Sequence, residues 1–96
     1  MKVIAESTWS WLLYADGERR WLAVVCGTVG LYELVIELNA DERARITADP
    51  TQTEQLARAI CGTPSQYRPR HQPQPLDTEA ARRALAAWRT GPSSNR

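Results

Sequence analysis

Apolar positions that suit a pleated sheet are concentrated in the first forty residues. Three runs carry them: Trp9-Ser10-Trp11-Leu12-Leu13-Tyr14, Arg20 to Cys26, and Leu31 to Leu38. These runs are rich in β-branched and aromatic side chains, which pack well on a pleated surface. Asp16-Gly17 separates the first two, and Gly27-Thr28-Val29-Gly30 separates the last two. Asp-Gly between apolar runs is a strong hairpin signal, because glycine takes positive φ without a Cβ clash. The pattern predicts a three-stranded antiparallel meander with strands at 2–14, 19–26 and 31–38.

Register follows from keeping like faces together. A three-residue Ala15-Asp16-Gly17 loop sets Trp11 opposite Trp21 and Tyr14 opposite Glu18. A four-residue loop over Gly27 to Gly30 sets Tyr32 opposite Val25 and Glu37 opposite Arg20. One face then gathers Val3, Trp9, Trp11, Leu13, Trp21, Ala23, Val25, Tyr32, Leu34, Ile36 and Leu38, and reads as core. The other gathers Ser10, Leu12, Tyr14, Arg20, Leu22, Val24, Glu33, Val35 and Glu37. A two-residue Asp16-Gly17 loop would instead shift the first strand to the opposite parity. The second face is mixed rather than polar, so its Leu12, Tyr14, Leu22, Val24 and Val35 need a cover.

Past Leu38 the pattern turns helical. Asn39 is an N-cap and Glu42 stands three residues later, which predicts a capped helix over 40–48. Asp49-Pro50 interrupts it. A second helix follows over 50–61, with Asp49 as its cap, Leu56, Ala57, Ala59 and Ile60 as its apolar stripe, and Gly62 as its stop. Residues 63–76 carry Pro64, Pro69, Pro73 and Pro75 without an apolar period, and read as an extended connector. The thirteen residues from Thr63 to Pro75, extended at ~3.1 Å each, reach ~40 Å, enough to cross the molecule. A last helix over 78–89 has Asp77 as its cap and a stripe of Ala81, Ala84, Leu85 and Trp88. Gly91-Pro92 ends it, leaving 91–96 as a disordered tail. The sum is one α+β domain over 1–90. The last helix covers either the mixed face of its own sheet or that of a second copy.

Charge adds one asymmetry. The net charge of +1 argues neither for nor against a polyanionic partner, but residues 1–61 sum to −3 and residues 62–96 to +4. Every basic residue except Lys2 is arginine, which points to a GC-rich genome, and the layout of strands followed by capped helices resembles that of many small bacterial proteins. No leader-like apolar segment or membrane-length run is present, so a cytoplasmic protein without membrane contact is expected. Cys26 and Cys61, 35 positions apart, are then expected as free thiols acting as small hydrophobes.

Catalytic chemistry finds little purchase. Cys26 with His71, the sole histidine, is the only nucleophile–base pairing available, and core packing explains Cys26 more simply. Glu33 and Glu37 stand ~13 Å apart along one strand face, too far for a retaining-glycosidase pair. No metal-ligand spacing or cofactor motif is present. The three tryptophans Trp9, Trp11 and Trp21 fall among aliphatic core residues, and Pro73-Gln74-Pro75 does not complete a polyproline ligand.

The expectation is therefore a non-catalytic protein-interaction module without a cofactor. It self-associates, as a homodimer, or binds a protein partner through Leu12, Tyr14, Leu22, Val24, Val35 and Trp88. The alternative is a nucleic-acid-binding accessory protein using Arg68, Arg70, Arg82, Arg83 and Arg89.

Overall fold

A computed structural model of the chain describes residues 1–7, 10–27 and 30–90. Its sheet is antiparallel with order β1-β2-β3-β4, formed by β1 (Lys2–Ser7), β2 (Trp11–Asp16), β3 (Arg19–Cys26) and β4 (Tyr32–Glu37). There are four strands where the sequence pattern gives three. The predicted first strand folds back on itself, and the Ser10 amide donates to the Ser7 carbonyl at 2.9 Å across the bend. No glycine, proline or asparagine marks that turn. β1 carries a bulge between Val3 and Ala5, which kinks the outer edge of the sheet and leaves Ile4 exposed. Trp9, Thr28, Val29 and the predicted 91–96 tail lie outside the described residues.

Register differs from expectation at both hairpins. Asp16 pairs with Arg19, so the first turn is two residues, Gly17-Glu18, with Gly17 at φ 63°. Trp11 therefore faces Val24, and Tyr14 faces Trp21. At the second hairpin Cys26 faces Tyr32 and Trp21 faces Glu37. Of the expected pairs Trp11–Trp21, Tyr14–Glu18, Tyr32–Val25 and Arg20–Glu37, none forms. Each loop is one residue or three away from its expected register, and an odd slip turns a strand over. The consequence is that β3 is inverted relative to both neighbours. Leu22 and Val24 join Leu13, Leu34, Ile36 and Leu38, while Trp21 and Ala23 join Tyr14 and Val35. The ion pair shifts accordingly: Arg19, not Arg20, grips Glu37 through Nε at 2.8 Å and Nη2 at 3.0 Å.

Helices cover both faces. α1 (Ala40–Ala48) and α2 (Gln52–Gly62) close the first, where Ala57 and Ile60 meet Leu13, Leu22, Val24, Ile36 and Leu38. Asn39 and Glu42 form the expected reciprocal cap of α1. Asp49 instead makes a turn, accepting from the Thr51 amide and hydroxyl, so α2 begins two residues later than the sequence suggests. α4 (Glu79–Thr90) lies on the second face, setting Ala81 and Ala84 against Val3, Tyr14, Trp21 and Val35. Small alanines let that helix approach closely. Its cap is Thr78, whose hydroxyl accepts from the Ala81 amide at 3.1 Å, rather than Asp77.

The connector is wound, not extended. It forms α3 (Pro64–Tyr67) and two 3-10 turns, Arg68–Arg70 and Gln74–Leu76. Between them it runs along the outer edge of β4. The Val35 amide donates to His71 Nδ1 at 2.9 Å, and the Gln72 amide donates to the Val35 carbonyl at 2.8 Å. That edge passage brings the chain from the α2 layer around to the α4 layer.

Cys26 and Cys61 are joined in a disulfide, contrary to the expectation of two free thiols. Sequence distance hid their proximity. The end of β3 and the end of α2 meet on the first face, with the two Cα atoms 5.3 Å apart.

Candidate functional site

The six predicted contact residues do not share a surface. Leu22 and Val24 are buried beneath α2, on the first face. Tyr14 and Val35 are buried beneath α4, on the second. Leu12 is half-buried beside them, and Trp88 is 37% exposed. The parity of β3 separates the group, and of the two expected placements of the last helix the structure has the one over its own sheet.

That cover is incomplete. α4 covers Tyr14, Trp21 and Val35, but the end of the second face where β1 and β3 finish and β2 and β4 begin is left open. A cleft of about 290 Å³ opens there, lined by Leu12, Ala23, Val25, Leu85, Glu33 and Arg89 among others. Val25 on its wall is 36% exposed. The Trp88 indole donates to a Glu6 carboxylate oxygen on β1, which fixes the ring at the same end of the sheet. Leu31, 71% exposed, lies in the loop joining β3 to β4, again at that end. Among the described residues, three of the four exposed large hydrophobic side chains therefore gather around one end of the sheet; Ile4 is the fourth.

Charge at the cleft is mixed. Arg89 stands 4.0 Å from Glu6. Glu33 faces out with no ion-pair partner among the described residues. Both reach the Tyr14 phenol beneath: burial raises its pKa above the ordinary value, Glu33 raises it further, and Arg89 opposes them.

The five arginines of the nucleic-acid reading are dispersed. Arg70 holds the buried Glu42 at 2.7 Å, Arg82 reaches Asp77 and Glu79, Arg83 pairs with Glu79, and Arg89 with Glu6. Arg68 stacks over Tyr32, its guanidinium 5.1 Å from the ring centre. Four of the five thus already neighbour carboxylates, with Arg82, Arg83 and Arg89 on α4 and Arg68 and Arg70 on the connector.

Candidate catalytic groups are engaged elsewhere. Cys26 is bonded to Cys61, and His71 Nδ1 is occupied by the Val35 amide. Glu37 is held by Arg19, whose hydrogen bonds keep its carboxyl below the ordinary value against a smaller opposing effect of burial. Among the described residues no three His, Cys, Asp or Glu side chains converge as metal ligands, and no helix is long and apolar enough to cross a membrane.

Sequence reasoning missed two features. The cleft depends on where α4 stops short, and no local pattern encodes that. The Glu42–Arg70 pair joins the first turn of α1 to the connector, 28 residues away. Its only sequence trace is the capping box, which already places Glu42 at the foot of a helix. No protein-family profile matches the chain, and no curated protein or solved structure matches it.

Proposed function

We propose that this protein is a non-catalytic interaction module that self-associates through the open end of its second sheet face. The observation that carries the reading is the exposed Val25 on the wall of the cleft, with Leu31 and Trp88 exposed at the same end of the sheet. Apolar side chains grouped in this way on a small domain favour a protein contact, with the tryptophan as its anchor. The rim suits a second copy. Glu33 and Arg89 border the same cleft with opposite charge, and a twofold axis through it brings each to the other across the interface. A standard interface takes roughly 800 Å² from each partner. That is a modest share of the 6233 Å² surface of this chain, with the cleft at its centre.

Light scattering across a concentration series tests the reading. Dimer at high micromolar concentration, returned to monomer by Val25→Glu, is the expected result. A strict monomer throughout overturns self-association. The cytoplasmic location expected from the sequence would keep Cys26 and Cys61 as thiols, whereas their bond is the form favoured in an oxidising compartment. Alkylation in intact cells distinguishes the two.

A further inference from the structure

A second cavity lies on the opposite face, at the corner where α1 and α2 leave the sheet. It holds about 270 Å³. Leu13, Leu38, Ile46 and Thr53 line it, and two arginines, Arg20 of β3 and Arg43 of α1, border it. Leu13, Leu38 and Thr53 are each 2% exposed, so the interior wall is well packed and mostly apolar. No acidic side chain lines this cavity.

Arg20 and Arg43 belong, with Arg45 and Arg68, to the described arginines that have no ion-pair partner, and they are the two that border this cavity. Among the described residues, neither has a carboxylate within the 4.0 Å of an ion pair, whereas six others do. Arg20 spends Nη1 on the Gly17 and Arg19 carbonyls, at 2.8 and 2.9 Å. Arg43 spends Nη1 on the Leu38 carbonyl at 3.2 Å. These bonds anchor each guanidinium by one nitrogen and leave its other donors available. Glu37 is near enough to feel Arg43, but it is already in the fork of Arg19. Two half-buried cations thus border one apolar cavity without an anion between them.

We infer that this corner binds a small amphiphilic anion, a carboxylate on a compact aromatic or branched apolar body. The carboxylate meets Arg20 and Arg43, where charge-assisted hydrogen bonds are strongest. The apolar body fills the space against Leu13, Leu38 and Ile46. The cavity has the volume of roughly nine waters at ~30 Å³ each, which suits a body of one ring and excludes a long acyl chain. Binding gives the guanidinium groups a carboxylate partner and removes apolar wall from water, two gains that neither an inorganic anion nor a neutral ring collects together.

Benzoate is the probe, followed by amide chemical shifts in a titration at constant ionic strength. Benzyl alcohol and inorganic phosphate are the comparisons. Benzoate is expected to shift the amides around Leu13, Arg20, Arg43 and Thr53 saturably, binding at least about tenfold more tightly than either comparison. Arg20→Gln and Arg43→Gln each weaken benzoate about tenfold. Ile4→Trp, at the exposed mouth of the cavity, blocks it without altering either charge, and decides the matter if an arginine variant fails to fold. The inference is overturned if benzoate gives no saturable shift by about 10 mM, if benzyl alcohol or phosphate binds as well, or if Ile4→Trp binds benzoate unchanged. Repeating the titration on Val25→Glu keeps the result independent of self-association, since the two cavities lie on opposite faces.

Discussion

Replacing Arg70 with methionine is the sharpest test of how the connector is held. Glu42 is buried, and its carboxylate accepts from the Asn39 amide at 2.9 Å and from Arg70 at 2.7 and 3.1 Å. Arg70 also donates to the Glu37 carbonyl at 2.9 Å, so one side chain ties the connector to both α1 and β4. Removing one partner of a fully buried pair costs about 3–5 kcal/mol. The Arg70 side chain is 34% exposed, and the Asn39 bond survives, so screening reduces the expected loss to about 2–3 kcal/mol. For a domain of this length that is a fall in Tm of roughly 10–15 °C. Glu42→Gln keeps an acceptor for Asn39 and loses only about 1–2 kcal/mol. The effect has a pH signature. Burial pushes the Glu42 carboxyl up, but the Arg70 hydrogen bonds, the Asn39 amide and the charges of Arg70 and Arg45 outweigh it, and the folded value lies below the ordinary one. Its stabilisation is therefore present above the unfolded value of ~4.3 and is lost as pH falls through the lower folded value. The gap between wild type and Arg70→Met should be wide near neutrality and close in acid, read by thermal unfolding followed by circular dichroism. A fall in Tm under about 3 °C, or a gap that persists unchanged into acid, refutes the argument.

Three further outcomes follow from the packing. Leu22→Ala should cost about 3–5 kcal/mol in urea unfolding and Leu12→Ala only about 1, because Leu22 is fully enclosed and Leu12 half-wetted; equal costs would contradict the inversion of β3. Reducing the Cys26–Cys61 bond frees a loop of 35 residues, a loss of about 4 kcal/mol by chain entropy, and thermal unfolding with and without reductant should show it as a large drop in Tm. His71→Ala leaves the Val35 amide without its acceptor, so hydrogen exchange at Val35 should quicken by at least about tenfold while that at Leu22 stays slow.

What the sequence by itself determined is local. The Asn39–Glu42 cap, the β-propensity of the three apolar runs and the break at Asp49-Pro50 all depend on a few neighbouring residues, and they place most elements within a few positions; the expected stop at Gly62 is one residue early, since Gly62 is still helical and Thr63 is the C-cap. Even the apolar stripe of the last helix is legible, since Ala81 and Ala84 recur at helical spacing. Register is a different matter. A sheet face alternates with period two, so one residue more or less in a turn moves a whole strand to the other side, and the runs of β3 and β4 are apolar enough to accept either outcome. Leu22 and Val24 were thus legible as apolar positions that need a cover, but not as core residues belonging with Leu13 and Ile36. The first bend, between Ser7 and Ser10, carries only serine and threonine as turn signals, weaker than the glycines that mark the other two hairpins. Only the tertiary structure decided that α4 lies on its own sheet, that Cys26 meets Cys61, and that Arg20 and Arg43 border one cavity without a carboxylate between them. Each is a meeting of segments far apart in the chain, set by how layers stack once loops are closed. No local preference specifies such a meeting.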